Sequence, residues 1–428
     1  MENEITACKL ENGLQVQLKE LHASPIISSW VWYRVGSRNE TPGITGISHW
    51  VEHMQFKGTP RFPQGVMDKV ISREGGTWNA FTYLDWTTFF ETMPAEKIDT
   101  ALQLEADRMV NSLYDPEEVT SERNVIISER EGNENEPLFQ LGEAVQKAAF
   151  SVHSYRHEVI GDMNDLHSIQ RDDLYRYYQQ YYSPSNVVLA IAGDFDAEKM
   201  LVKIQAEFGE LTASSPPPSF IPSEPTPATQ QWVDVNGPGE TAFMQVAYHA
   251  PQACQADFFP FTVLDSLLTG PSGLNMFGGG GISNKTSRLY QKLVETQLVI
   301  GVHGGLSATI DPYLYDITVT IHPERQPEEA LLTLDEEIDR VQQSPVTEAE
   351  VQRAIKQARA LFVYGAENVT NQGFWLGYSE MFASYDWFTR YLEHLSEVTP
   401  EDIWRVARKY LTRANRVVGI YHPAKGSQ

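Results

Sequence analysis

The stretch Ser214-Ser215-Pro216-Pro217-Pro218 lies at the middle of this chain of 428 residues, and further prolines follow at positions 222, 225 and 227. Prolines at this density fix the backbone φ angle and remove hydrogen-bond donors, so neither a helix nor a strand continues through them. We interpret residues 214–231 as a linker between a domain at residues 1–213 and a second domain at residues 232–428. A linker at the midpoint of a chain suggests an internal duplication.

The two halves share short patterns in the same order. Asn186-Val187-Val188 in the first half is matched by Asn415-Arg416-Val417, 229 residues later. Val31-Trp32-Tyr33 is matched by Val246-Ala247-Tyr248, 215 residues later. These offsets differ by 14 (229 − 215), which indicates an insertion in the second half, and the glycine-rich segment 270–281 is the obvious candidate. The matching order predicts two homologous domains.

Each half has a pattern of strands followed by helices. Asn12-Gly13 between two apolar runs is typical of a β-hairpin, and Ile26–Tyr33 and Val187–Ala192 have the composition of strands. Asp115-Pro116-Glu117-Glu118 is typical of a helix start, because Asp caps a helix, Pro suits the first turn and acidic residues suit the dipole. The sequence therefore predicts an α+β fold of two domains, each with a mostly antiparallel sheet covered by helices.

The composition argues against several classes of protein. The formal net charge is −24, so no basic patch could dominate the electric field as nucleic-acid binding requires. The first residues lack the basic start and apolar core of a signal peptide, and no apolar run approaches the roughly 18 residues of a membrane span. Cys8 and Cys254 form no disulfide framework. We therefore expect a cytoplasmic protein that binds neither nucleic acid nor membrane.

The segment His49-Trp50-Val51-Glu52-His53 carries residues typical of a metal site. On a helix, residues four apart share a face, so the imidazoles of His49 and His53 can point at one metal ion, with Glu52 on the same side. The order is the reverse of His-Glu-x-x-His and corresponds to the inverted zinc motif. A zinc hydrolase needs three protein ligands, an open position for water and a nearby base. This segment supplies two ligands and the base.

The third ligand has to come from another element. The next long predicted helix carries Glu122 and Glu129, which are seven residues apart and share a helix face with apolar residues between them. Carboxylates on an apolar face are costly to bury unless they are paired or bound to a metal. Both glutamates are therefore candidates for the metal site.

Two other patterns are weaker candidates. His153 and His157 are also four residues apart, but no base or third ligand follows at a suitable spacing, and we assign them to a loop. The glycines at positions 278–281 lack the Lys-Ser/Thr that ends a phosphate-binding loop, so we interpret them as a mobile loop that contacts substrate.

The spacing of the metal-site residues resembles that of the pitrilysin family of inverted-motif zinc peptidases, which includes insulysin and mitochondrial processing peptidase. The family pattern is His-x-x-Glu-His, then a Glu seventy-odd residues further on, with another Glu seven residues before it. Here Glu129 lies 76 residues after His53 and seven after Glu122. The mid-chain proline linker also matches, so the resemblance covers nearly the whole chain. Three further runs match the family: Ser48–Thr59, Gly75–Thr82 and Ser287–Gln291.

The resemblance implies a role for each residue of the metal site. His49, His53 and Glu129 would bind Zn²⁺, and Glu52 would be the general base that activates water for attack on a peptide bond. Glu122 resembles the accessory acid of the family, which supports the ligands.

The resemblance also implies how substrate binds. Asn79 and Ala80 correspond to an edge strand along which a peptide lies by strand addition, so that backbone hydrogen bonds hold many different sequences. We therefore expect a zinc metalloendopeptidase that acts on unfolded peptides.

The second half lacks the metal site. At the two offsets given above, leucines occupy the positions of both histidines and of Glu52, and an alanine occupies that of Glu129. These residues are Leu264, Leu267, Leu268 and Ala358. The resemblance implies that this asymmetry between the halves is usual.

A second departure concerns substrate binding. Active family members hold the substrate carbonyl with an Arg and a Tyr from the second half, but Val294 and Gly301 stand here and neither can donate a hydrogen bond from its side chain. We therefore expect a heterodimer, in which a paralogous subunit supplies Arg and Tyr. Two alternatives stay open: a self-sufficient homodimeric peptidase, and a non-catalytic scaffold subunit, against which the complete set of metal-site residues argues.

Overall fold

The structure is a computed structural model that describes residues 5–214, 221–274 and 283–424. Its strands are β1 Thr6–Lys9, β2 Gln15–Glu20, β3 Ile26–Tyr33, β4 Thr77–Thr82, β5 Thr87–Pro94, β6 Val187–Gly193, β7 Gln231–Pro238, β8 Phe243–His249, β9 Val299–Leu306, β10 Leu314–Ile321 and β11 Arg416–Ala424. Its helices are α1 Ile47–Met54, α2 Val66–Arg73, α3 Ile98–Asn111, α4 Pro116–Asn133, α5 Pro137–Ala149, α6 Met163–Ser168, α7 Arg171–Tyr181, α8 Ala197–Phe208, α9 Phe258–Leu268, α10 Pro327–Gln343, α11 Glu348–Tyr364, α12 Val369–Phe382, α13 Tyr385–Ser396 and α14 Pro400–Tyr410. None of the helices in these ranges is long and apolar enough to cross a membrane.

The strands of the first half form one sheet in the order β1-β2-β6-β3-β5-β4. β1 and β2 form the hairpin predicted around Asn12-Gly13, and β2 runs parallel to β6, whereas the other neighbouring pairs are antiparallel. β3 lies at the centre, and its residues from Ile27 to Tyr33 are buried, as expected for a strand covered on both faces.

The strands of the second half form a sheet with the same pattern, in the order β7-β11-β8-β10-β9. β7 runs parallel to β11, and the other pairs are antiparallel. Trp32 pairs with Val188 in the first sheet, and Ala247 pairs with Val417 in the second, so the offsets of 215 and 229 identify equivalent positions. The predicted fold, two α+β domains with mostly antiparallel sheets, is confirmed. The predicted glycine loop at 278–281 lies outside the described residues.

The chain forms two compact units that exchange helices. One unit contains the described residues of 1–130, 157–222 and 367–389, and the other contains those of 131–156, 223–366 and 390–428. Helix α12, from the second half of the sequence, therefore belongs with the first sheet, and α5, from the first half, belongs with the second sheet. The predicted boundaries at 213 and 232 describe the duplication in the sequence and not these compact units, and they remain a prediction.

Each exchanged helix packs closely on the sheet of its unit. α12 lies on β3 and β6, and a Cβ atom at Gly377 would lie 2.1 Å from the ring of Trp32. α5 lies on β11, where a Cβ atom at Gly419 would lie 2.4 Å from Val145. Glycine in the helix or in the strand is therefore what permits these close contacts.

Part of the predicted linker 214–231 can be described. Residues 221–230 form neither helix nor strand, and β7 begins at Gln231, whereas residues 215–220 lie outside the described part. Glu224 anchors this segment, because its carboxylate accepts hydrogen bonds from the backbone N–H groups of Ser151, Val152 and His153 at 2.7–2.9 Å.

Candidate metal site

Helix α1 presents the two histidines of the motif. It begins after Gly46, whose φ of 86° is left-handed and whose Cβ would lie 2.4 Å from a backbone oxygen, so glycine is required there. The buried carboxylate of Glu40 accepts hydrogen bonds from the backbone N–H groups of Gly46 and Ser48, each at 2.8 Å. These bonds satisfy donors that have no partner within the helix. They fix the direction in which α1 projects His49 and His53.

Helix α4 contributes the two glutamates. It begins at Pro116, and the preceding Asp115 accepts a hydrogen bond from the backbone N–H of Glu117 at 2.8 Å, consistent with the predicted helix start. Glu122 and Glu129 lie two turns apart on the face directed at α1. The side chain of Glu122 is 7% exposed and that of Glu129 is 43% exposed, so only the first is closed off from water.

Three possible ligand atoms from the two helices lie close together. Nε2 of His49 and Nε2 of His53 are 3.2 Å apart, and Oε2 of Glu129 lies 3.9 Å from the first and 3.7 Å from the second. Within the described ranges, no other group of His, Cys, Asp and Glu side chains brings three such atoms together. In the plane of the three atoms, the point equidistant from them lies about 2.1 Å from each, which is the length of a zinc–nitrogen or zinc–carboxylate bond. The donor set therefore fits a zinc ion.

The two imidazoles have different surroundings. Burial, together with the charge of His53, lowers the pKa of His49 to about 3, so its ring is neutral, as a metal ligand must be. Burial also lowers the pKa of His53, but the hydrogen bond to Glu122 and the charges of nearby carboxylates outweigh it, and the pKa is raised above its ordinary value. When the His53 ring is protonated, both of its nitrogens carry a proton. A metal ion at Nε2 of His53 would therefore compete with the proton on that nitrogen.

Glu122 orients the ring of His53. Nδ1 of His53 donates a hydrogen bond to Oε1 of Glu122 at 2.8 Å, which leaves Nε2 directed at the other two ligand atoms. Oε2 of Glu122 contacts Nζ of Lys57. Burial raises the pKa of Glu122, but the hydrogen bond from His53 and the ion pair with Lys57 outweigh it and hold the pKa below its ordinary value. Histidine ligands of metal sites usually have an outer carboxylate of this kind.

Glu52 lies on the same helix and is buried. Oγ1 of Thr82, at the end of β4, donates a hydrogen bond to Oε2 of Glu52 at 2.7 Å. Burial raises the pKa of Glu52, and the hydrogen bond from Thr82 only partly opposes this. A carboxylate with a raised pKa, held by one donor beside possible metal ligands, suits a general base.

Asn79 and Ala80 lie on β4, which is the last strand of its sheet. They pair with Phe90 and Phe89 of β5, and no strand within the described ranges pairs with the opposite edge of β4. Asn79 is exposed, whereas Ala80 is buried with 6% of its surface exposed. The edge can therefore accept an added strand.

The second half builds the equivalent helices without polar ligands. Leu264, Leu267 and Leu268 on α9, and Ala358 on α11, are buried. Val294 ends a π-helical turn at Tyr290–Val294, and Gly301 lies on β9.

His153 and His157 form no metal site. Nε2 of His157 donates to Glu40 at 2.8 Å, whereas Nε2 of His153 pairs with Asp311 at 3.1 Å, and the two histidines belong to different compact units. The short turn Ser154–Arg156 lies between them, which agrees with their assignment to a loop.

Sequence reasoning missed three residues that position the site. Lys57 and Thr82 lie inside the runs Ser48–Thr59 and Gly75–Thr82, so the family pattern marks them without showing what they contact. Glu40 carries no signal in the sequence, because its contact with α1 depends on the folded path of the intervening loop.

The fold and these side chains define a duplicated α+β protein with an inverted His-x-x-Glu-His motif. Comparison with known families agrees, since the sequence model described as Insulinase (Peptidase family M16) matches residues 15–163 and that described as Peptidase M16 inactive domain matches residues 168–358. The chain belongs to peptidase family M16. All the candidate metal-site residues lie in the first matched region.

Individual relatives agree with this assignment. An uncharacterized zinc protease of Streptomyces coelicolor is 27% identical over 98% of this chain and 90% of its own length. The beta subunit of the mitochondrial processing peptidase of Lentinula edodes is 25% identical over 94% of this chain and 86% of its own length. The crystal structure of a protease from Helicobacter pylori has the same fold, with a TM-score of 0.91 at 24% identity over 98% of this chain and 100% of that one.

Proposed function

We propose that this chain is a zinc metalloendopeptidase subunit that hydrolyses unfolded peptides. The observation that supports this best is the convergence of ligand atoms from His49, His53 and Glu129, with Glu52 buried on the same helix as the histidines. Relatives named as zinc proteases make zinc the expected metal.

The residues of the site divide the chemistry between them. His49, His53 and Glu129 would hold the zinc ion, which when bound supplies a Lewis acid for a peptide carbonyl and for water. Glu52 accepts the proton of the attacking water and delivers it to the amine leaving group. Glu122 holds the ring of His53 in the orientation that directs Nε2 at the metal position.

The edge of β4 is the proposed binding site for the peptide. Backbone groups at Asn79 and Ala80 would pair with an extended substrate, and an unfolded peptide adopts such a conformation readily. Thr82 ends the same strand and bonds Glu52, so the strand that binds substrate also fixes the proposed base.

We also propose that a paralogous partner completes the enzyme. Val294 and Gly301 provide no side-chain donor for a substrate carbonyl, and loss of one such donor costs about 10²–10³-fold in rate. The relative named as a beta subunit of a processing peptidase supports a paired arrangement. The alternatives are a homodimeric peptidase of reduced activity and a scaffold subunit.

The test combines metal content with catalysis. Purified wild-type chain is expected to hold close to one zinc per chain, and His53→Ala is expected to lose most of this zinc. His167→Ala is the control: it changes an exposed histidine on α6 and is expected to retain the zinc. Glu52→Gln is expected to retain zinc and to lose cleavage of unstructured peptides by about 10²–10⁴-fold, because Gln cannot take up a proton.

Cleavage is measured with the chain alone and with its paralogue. Activity that appears only in the mixture supports the heterodimer, and full activity of the isolated chain supports the homodimer. No activity in either sample, with zinc bound, would favour the scaffold. Absence of zinc from the wild-type chain would reject the proposed function.

A further inference from the structure

Lys57 lies in the turn that follows α1. The backbone N–H groups of Phe56 and Lys57 donate to the carbonyls of His53 and Met54, each at 3.1 Å, so the chain continues to turn after the helix ends. Gly58 then adopts a φ of 97°, which favours glycine. This turn directs the side chain of Lys57 at α4, on the side that carries Glu118 and Glu122.

Nζ of Lys57 meets two carboxylates that are one turn apart on α4. It contacts Oε2 of Glu122 and lies 3.9 Å from Oε2 of Glu118, which also accepts a hydrogen bond from Gln64 at 2.9 Å. The side chains of Lys57 and Glu122 are 19% and 7% exposed, so water screens their ion pair only weakly.

Each oxygen of Glu122 therefore has its own partner. Oε1 accepts from Nδ1 of His53, and Oε2 contacts Nζ of Lys57. With both oxygens held, the carboxylate cannot rotate away from His53 without leaving a buried charge unpaired. The ion pairs of Lys57 are with Glu122 and Glu118, and neither is a possible ligand or the proposed base, so any effect that Lys57 has on the geometry of the ligands must pass through Glu122.

We propose that Lys57 is a positioning residue of the zinc site: it fixes the carboxylate of Glu122, and through it the ring of His53, and thereby increases the affinity for zinc. This inference rests on the proposed function, because it assumes that His53 binds zinc. Loss of an outer partner of a metal ligand typically costs about 10–100-fold in metal affinity.

A purely electrostatic role predicts the opposite sign. Lys57 is a positive charge near the position of a divalent cation, so its removal would strengthen zinc binding if charge alone mattered. A positioning role predicts weaker binding when the contact is lost, and restoration when another cation can reach Glu122. The direction of the change in affinity therefore separates the two.

The experiment measures the zinc dissociation constant of the full chain by competition with a chromophoric chelator. Lys57→Met is expected to bind zinc several-fold and up to about tenfold more weakly than wild type, because Lys57 lies one contact further out than Glu122, the outer partner itself. Lys57→Arg is expected to restore most of the affinity. Lys69→Met is the matched control, because Lys69 is exposed on α2 and contacts none of these residues. Glu118→Gln is expected to change affinity by less than Lys57→Met, because it leaves the contact with Glu122 in place.

Thermal unfolding of the metal-free variants shows whether each one is folded. If Lys57→Met does not fold, Lys57→Gln replaces it, with weaker zinc binding again expected. Unchanged or tighter zinc binding by the folded variant overturns the inference, and so does failure of Lys57→Arg to bind better than Lys57→Met. Absence of zinc binding by the wild-type chain overturns the proposed function as well, so the two failures are distinguishable.

Discussion

Glu40 and His157 form a buried ion pair beside the start of helix α1. The side chain of Glu40 is fully buried and that of His157 is 10% exposed, and Nε2 of His157 donates to Oε2 of Glu40 at 2.8 Å. The same carboxylate accepts from the first backbone N–H groups of α1. Burial lowers the pKa of His157, but the hydrogen bond to Glu40 and the charges of Asp162 and Asp165 outweigh it, so the pKa is raised.

This pair predicts a dependence of stability on pH. Because the pKa of His157 is higher in the folded chain than in the unfolded chain, its contribution is fully present below about pH 6.5, and it is lost as pH rises through the folded pKa. His157→Gln should lower the melting temperature of this 428-residue chain at about pH 6 by about 1 °C, if the pair contributes roughly 1 kcal/mol. The difference from wild type should shrink at alkaline pH.

Thermal unfolding at several pH values measures this effect, with His167→Gln as the control, because His167 is exposed on α6. A difference between His157→Gln and wild type that stays the same at every pH would show that the imidazole contributes only as a neutral donor.

At this scale, local spacing carries much of the information. The spacing of four between His49 and His53 and of seven between Glu122 and Glu129 fixes which side chains share a helix face. The structure brings three of these residues, His49, His53 and Glu129, around one point. Glu40 contacts α1 across a loop, and Lys57 meets α4 across a turn. Such contacts depend on tertiary structure, which periodicity does not encode.

At the scale of elements, strands and helix starts follow the sequence closely. β3 spans the predicted Ile26–Tyr33, and α4 begins at the predicted Pro116. The exchange of α5 and α12 could not be predicted, because an apolar face shows that a helix is covered without showing which sheet covers it. The contacts that identify the covering sheet join residues that are distant in the sequence, such as Gly377 and Trp32.

The contact between α12 and β3 predicts a sensitive position. Gly377→Ala places a Cβ atom 2.1 Å from the ring of Trp32, so the helix or the ring must move. Overpacking of this kind costs about 1–3 kcal/mol, which exceeds the gain of up to about 1 kcal/mol from replacing glycine within a helix. Gly377→Ala should therefore lower the free energy of unfolding.

Denaturant unfolding measures this change, and Gly142→Ala on α5 is the matched control. The nearest atom to a Cβ at Gly142 is 3.9 Å away, so only the gain in helix propensity should appear there. A stable Gly377→Ala chain would mean that α12 can shift on the sheet without loss of packing.

At the scale of the whole molecule, the duplication in the sequence and the compact units have different boundaries. The predicted halves meet at the proline-rich segment 214–231, but each compact unit takes a helix from the other half. Within the described residues, only the first half carries the candidate metal site, and the second half has buried leucines at the equivalent positions of α9.

The exchange predicts that neither half folds well alone. A fragment of residues 1–213 lacks α12, which leaves the face of β3 around Trp30 and Trp32 uncovered, and it carries α5 without the sheet on which α5 packs. An exposed apolar face of this kind favours aggregation. Fragments 1–213 and 214–428 expressed together should recover a soluble pair, because each supplies the helix that the other lacks.

Gel filtration and the cooperativity of thermal unfolding measure this for each fragment and for the pair. A monomeric 1–213 fragment with a sharp transition would show that its sheet is stable without α12. The exchange of helices would then not be what completes the core of that half.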